Sequence, residues 1–452
     1  MNKRNIFPLL LSLTVGMSAQ ETLTLEQCRE LALSYNKEIA ASAMQTRYAD
    51  FTMKSYRGNF FPNISLSGTG MYNTGDGTFS SEGGMLPTYA LDATGALTTD
   101  GGYAYFPGIG LDYKIGAIYT GGITLEQPIY MGGQIRAAYR MSKFGKQVAQ
   151  ASEALTTTEV IVQTDEAYAM VVKANELKKV ALTYYSLLEE LLKNVENALK
   201  HGLKSRNDVL KVQVKMNEAE LSLRKADNAV RLATMNLCHC IGRPLDTDLR
   251  VSDELPNVDD AVDVYAGDIS GRPEWAILSG QVAINEQQVK LSRSELLPKI
   301  GLQGGYNYMH GIEVNDQTLV DKGAFSVLLN VSIPIYHFGE RSNKVRAAKA
   351  KLEQSRLEQE DSNEQMMLEL SQAINNFDEA RLEKRLAERS LEQAEENMRV
   401  SRTQYDVGLE TLSDHLEAQA LWQQAYQTKV EAAYQLYLAY VNYLKAAGKL
   451  AV

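Results

Sequence analysis

Three groupings in this 452-residue chain hold side chains capable of chemistry. Cys238-His239-Cys240 offers thiols and an imidazole, both metal-ligand types. Adjacent residues on a helix point apart, however, and no second ligand pair follows, so packed helix-end thiols are the expectation. His201 and His415 each lie within a few residues of a glycine, Gly202 or Gly408. An imidazole there could respond to pH near neutrality, against the plainer expectation of an exposed ring with no task. The third grouping occurs twice, as Ser205 with Asp208 and Thr411 with Asp414. A hydroxyl followed three residues later by a carboxylate reads as a capping box opening a helix, with Asp in place of the usual Glu. Glu417 lies one turn beyond Asp414 and has no cap to make. Zinc-spaced histidines with a glutamate between, a phosphate-cradling glycine loop and a nucleophile elbow are all absent from the sequence. The chain reads as a non-enzyme with no cofactor and no metal.

These residues sit on long helices. Gly408 separates two runs free of glycine and proline, residues 340–407 and 409–447. Glycine ends a helix at low cost because it accepts the left-handed backbone of the position after the C-cap. The segment Val407-Gly408-Leu409-Glu410-Thr411 is therefore the turn of a long antiparallel helical hairpin. A shift of 206 residues lays Gly202 on Gly408, Leu203 on Leu409, Asp208 on Asp414 and Gln213 on Gln419, and Pro128-Ile129-Tyr130 on Pro334-Ile335-Tyr336. Segments that keep register over that distance imply a structural duplication.

Each copy also carries strands. Ile64, Leu66, Gly68, Gly70 and Tyr72 alternate with Ser65, Ser67 and Thr69, and Phe325, Val327, Leu329, Val331 and Ile333 show the same period of two. Pro62, Pro128, Pro298 and Pro334 stand where strand should meet helix, suited to the place by a fixed φ and a missing N–H. The first repeat spans 20–242, with strands at about 63–74 and 115–127 and long helices at about 132–200 and 205–240. A single helix is expected over 24–58, and an outer loop from Gly75 to Lys114. An acidic connector covers 243–272. The second repeat spans 273–452, with strands at about 299–309 and 324–333 and helices at about 339–406 and 411–447.

Lys3 and Arg4 followed by the apolar run Ile6–Val15 read as a secretory signal over 1–19. The net charge of −10 argues against nucleic acid as a partner. Strands of about 10 to 12 residues are long enough to cross a bilayer at a tilt, and a sheet in hydrocarbon must close. Four strands cannot close alone, since the smallest such barrels have about eight, so two, three or four chains must join. A helix of about 68 residues would extend roughly 100 Å. Its narrow apolar stripe suits a single-layer wall wet on its other faces, or an ordinary coiled coil.

With its duplicated hairpins, the tip Val407-Gly408-Leu409…Thr411…Asp414…Leu416…Ala418-Gln419 and the opening Arg272-Pro273-Glu274, the chain resembles the TolC-like outer-membrane efflux proteins. The resemblance implies a mostly α homotrimer with a 12-stranded barrel among outer-membrane lipid and a 12-helix periplasmic tunnel. It implies two partners, a periplasmic adaptor protein and an inner-membrane transporter, for efflux or type I secretion. By the same resemblance Asp414, Glu417, Tyr405 and Asp208 belong to the periplasmic gate, and Gly202, Leu203, Val407, Gly408 and Leu409 to the tip that adaptors grip. Glu410 stands where some relatives carry an arginine. The reading from another class is a periplasmic or surface coiled-coil structural protein or adhesin without channel activity.

Overall fold

The computed structural model describes residues 22–252, 254–256, 258, 269–315 and 317–450. The leader expected over 1–19 lies outside them, as do residues 253, 257 and 259–268 of the connector. The elements run β1 (Thr22–Leu23), α1 (Leu25–Tyr35), α2 (Lys37–Gly58), β2 (Asn63–Ser81), β3 (Gly84–Leu91), β4 (Leu97–Phe106), β5 (Ile109–Met131), α3 (Gln134–Lys200) and α4 (Arg206–Cys240). They continue with β6 (Arg250–Val251), α5 (Pro273–Ser294), β7 (Lys299–Val314), β8 (Gln317–Ser332), α6 (Glu340–Asp406) and α7 (Leu412–Ala446). Both ends of α3 and α4 map onto those of α6 and α7 by the same 206-residue shift. The chain divides into two units, residues 1–49, 145–282 and 355–452 in one, 50–144 and 283–354 in the other.

The first unit is helical. Thr24 opens α1 with a capping box, its hydroxyl accepting from the Gln27 N–H while its own N–H donates to Gln27 Oε1 at 2.9 Å. The helix expected over 24–58 is broken at Asn36, whose backbone is extended. Its side chain caps the restarted helix, Oδ1 accepting from the Glu38 N–H at 2.7 Å, while Nδ2 donates to Cys240 O at the end of α4 at 3.0 Å. One core cluster joins Cys28, Tyr168, Leu237, Phe377, Tyr437 and Val441. Within that unit Arg29 grips Asp165 through Nε at 2.7 Å and a terminal nitrogen at 2.5 Å. The Asp165 side chain is fully buried, and burial holds its carboxyl above the usual range despite the arginine. On α7 Val430, Ala432, Tyr434, Leu436, Tyr437, Val441 and Tyr443 are all buried, so more than one face of this helix is covered.

The second unit holds an antiparallel sheet in the order β2-β5-β7-β8, leaving β2 and β8 as edges. Directly opposed residues share a face. The pairs Ile64 with Leu125, Leu66 with Ile123, Ile123 with Tyr306, Tyr306 with Phe325, and Leu302 with Leu329 therefore place these apolar residues, drawn from all four strands, on one side. Ser67, Gly122, Asn307 and Ala324 fall on the other. On the apolar side Ile64, Leu66, Phe325 and Leu329 are 58–81% exposed, so this sheet has an uncovered oily face and two unpaired edges.

Two expectations are corrected here. The loop placed over Gly75–Lys114 is largely strand: β2 continues to Ser81 and β5 begins at Ile109. Between them β3 and β4 form a separate two-stranded sheet, turned at Asp92, whose carboxylate accepts from the N–H groups of Thr94 and Ala96. Glycine and threonine there sit in a ladder because cross-strand pairing, not local propensity, decides the conformation. Pro128 does not end its strand either. It lies inside β5 at a register shift against β7, a site where a missing N–H is tolerated. Pro62 and Pro298 immediately precede β2 and β7, and Pro334 follows the end of β8.

Among the described residues no helix is long and apolar enough to cross a membrane. No group of three or more metal-ligating residues occurs among them.

Candidate functional site

The two helical turns, between α3 and α4 and between α6 and α7, are built alike. Gly202 and Gly408 have φ of +73° and +78°, values that non-glycine residues rarely adopt. Each turn closes with the bond pattern of a glycine C-cap. Leu203 N donates to Ala198 O at 2.9 Å, and Leu409 N donates to Gln404 O at 2.9 Å. The capping boxes follow at once. Asp208 N donates to Ser205 Oγ at 3.2 Å and Ser205 N to Asp208 Oδ2 at 2.9 Å. Asp414 N donates to Thr411 Oγ1 and Thr411 N to Asp414 Oδ2, both at 3.3 Å. Hydrogen bonds from the Ser205 N–H and hydroxyl hold the Asp208 carboxyl below its usual range.

The core beneath the turns draws on both hairpins: Leu188 and Val195 of α3, Val212 of α4, Leu391 of α6, and Leu412 and Trp422 of α7. Polar contacts cross between the hairpins too. Lys211 Nζ donates to Ser413 Oγ at 3.0 Å, and Arg402 donates to Glu190 at 3.1 Å. Lys204 places its ammonium 4.5 Å from the centre of the Tyr405 ring. Tyr405 in turn stacks on His415, ring centres 5.1 Å apart and planes within 7°.

The expected site residues thus separate by environment. Asp414 is exposed and Asp208 half-buried, and both are committed to their caps. Glu417 is exposed and borders an open groove of about 560 Å³ between α4 and α7, with Leu210, Val214 and Ser413. Tyr405 is half-buried in the stack. Val407, Leu203 and Leu409 are 66%, 77% and 81% exposed, an unusual setting for aliphatic side chains. His201 is exposed as expected, whereas His415 is buried, contrary to the expectation of an idle surface ring. The ten-residue separation of Tyr405 and His415 was the available signal, since in a hairpin turning at Gly408 the two face each other. Cys238 and Cys240 are buried helix-end thiols, and His239 beside them is exposed.

The model of the outer membrane efflux protein family matches residues 28–243 and 277–449, taking in both hairpins and the sheet. The chain belongs to the outer membrane efflux protein family. It is 26% identical over 268 residues to the outer membrane efflux protein BepC of Brucella suis, a match covering 58% of this chain and 57% of BepC. It is 22% identical over 344 residues to the proteases secretion protein PrtF of Dickeya chrysanthemi, covering 74% of this chain and 73% of PrtF. Its fold follows that of the CmeC outer membrane channel of Campylobacter jejuni, with a TM-score of 0.77 over 99% of this chain and 94% of CmeC at 18% identity. Family membership accounts for the pairing of an oily strand surface with long, mostly polar helices in one chain.

Proposed function

We propose that three copies of this chain form an outer-membrane channel-tunnel, the exit duct of a tripartite efflux pump or a type I secretion system, gated at its periplasmic helical tips. The observation that carries this reading is the four-stranded sheet with one apolar exposed face and two free edges. In a bilayer that face is solvated by lipid, and the edges are satisfied only by strands of other copies. A coiled-coil structural protein or adhesin has no use for such a sheet. BepC is named for efflux and PrtF for protease secretion, so the relatives leave the cargo class open.

Within this reading Asp414 and Glu417 narrow the periplasmic entrance. A three-fold axis repeats each carboxylate, and the rings repel one another and draw cations. Asp208, in the first turn of α4, and Tyr405, near the end of α6, belong to the same gate in this reading. Gly202, Leu203, Val407, Gly408 and Leu409 form the surface offered to a periplasmic adaptor protein, which links the duct to an inner-membrane transporter. Glu417 is the cleaner residue to perturb, because replacing Asp414 also removes a helix cap. In planar bilayers Glu417→Gln should raise conductance and weaken block by multivalent cations. Unchanged conductance and block would place the constriction elsewhere.

A further inference from the structure

We infer that His415 is a proton-sensitive catch holding the two helical tips of each chain together, so that acidification loosens the periplasmic tip. The role in gating rests on the duct reading above. The catch itself does not.

His415 lies in the first turns of α7 and is only 4% exposed, although Asp414 before it and Glu417 after it face solvent. Both ring nitrogens meet uncharged groups. Nδ1 is 3.1 Å from Ser401 Oγ on α6, and Nε2 is 3.0 Å from the Gln419 side-chain nitrogen on α7. Its face stacks on Tyr405 of α6, and the Tyr405 ring also receives Lys204 from the turn of the first hairpin. One imidazole thus anchors a run of contacts from α7 through α6 to the other tip.

A neutral ring satisfies this setting. With the Gln419 amide donating to Nε2, Nδ1–H donates to Ser401 Oγ. A second proton would sit on Nε2, facing an amide N–H. The amide would then have to turn and offer Oε1, which is buried and has no partner as it stands. Even after that turn a charged ring would remain out of water, a costly arrangement without a carboxylate in contact. The surrounding charges are mixed. Glu410 in the turn and Asp406 on α6 favour the imidazolium, and Arg402 on α6 opposes it. Arg402 is itself paired with Glu190 of α3. Lys204 and Asp208 bear on the Tyr405 ring from the first hairpin, and Asp414 on α7 is held by Thr411. Burial is the largest influence, and it pushes the His415 pKa below its ordinary value.

The sign follows directly. A histidine whose pKa is lower when packed than when exposed takes up its proton more readily in the exposed state. The packed state therefore keeps its full stability above about pH 6.5 and loses it as the pH falls below that value.

Hydrogen exchange of the backbone amides over residues 401–419, corrected for intrinsic rates, tests this on the full-length protein extracted in detergent. Between pH 7.5 and 5.5 protection should fall by up to about tenfold. That limit applies when the exposed ring titrates near 6.5 and the packed ring does not titrate. His415→Phe keeps an aromatic ring against Tyr405 and cannot take a proton, and His415→Gln tests the same point with a smaller, polar side chain. Both should make protection independent of pH across this window. Wild-type protection that does not change, or variants that lose protection on acidification as the wild type does, would overturn the inference. Bilayer recordings on the same preparations report on the duct separately: absence of current at every pH would contradict the channel and leave the exchange result standing.

Discussion

Leu203 and Leu409 offer the sharpest test of how the tips are used. Each follows the turn glycine of its hairpin, and they are 77% and 81% exposed. Their side chains therefore contribute little to the fold, and truncation should change stability by less than about 0.5 kcal/mol. Burial of a leucine in an interface is worth about 1.5–3 kcal/mol. If an adaptor covers these residues, Leu409→Ala should cost about 2 kcal/mol of binding, or roughly thirtyfold in Kd. Leu203→Ala should cost a similar amount, because the two turns are built alike. The assay is adaptor binding by surface plasmon resonance to the detergent-solubilised duct, with thermal melting measured alongside. Unchanged affinity in both variants would refute the adaptor surface. A melting shift of several degrees would show instead that the leucines support the fold.

Other expectations follow from the buried groups. Arg29→Met should destabilise the protein by about 3–5 kcal/mol in denaturant titration, because it strands the buried Asp165 carboxylate; a loss below about 1 kcal/mol would contradict the pairing. Adding Asp165→Asn to Arg29→Met should recover part of that loss. Gly408→Ala should cost about 1–2 kcal/mol, because nothing lies within 4 Å of an added Cβ and only the left-handed backbone resists it; an unchanged unfolding midpoint would refute this. Cys28, Cys238 and Cys240 should resist a maleimide reagent until denaturant is added, since all are buried and burial pushes the Cys28 thiol up to about 12. Ready labelling of the folded protein would contradict that packing.

The parts of the fold legible in the sequence are those set by local chemistry or by copying. Gly202 and Gly408 stop helices through backbone geometry, Ser205 and Thr411 restart them through their hydroxyls, and the 206-residue shift extends each reading to its twin. Long-range pairing hid the rest. Asp76 and Lys114 oppose each other across a ladder in a stretch whose glycines and threonines suggest a loop. The break at Asn36 lacks a glycine or proline to mark it, and its stabilising partner, Cys240 O, lies 204 residues away. At the tip the capping carboxylates were readable. The burial of His415 depends on Tyr405 and Ser401 reaching it across the turn, which residue type alone does not disclose.

The most direct test of the central claim is the mass of the intact particle, measured by native mass spectrometry after extraction in mild detergent. A sheet with an oily face and free edges on β2 and β8 can close only with strands from other copies. The expected result is a complex of three chains. A single chain that keeps its strands and remains soluble after the detergent is removed would contradict the account.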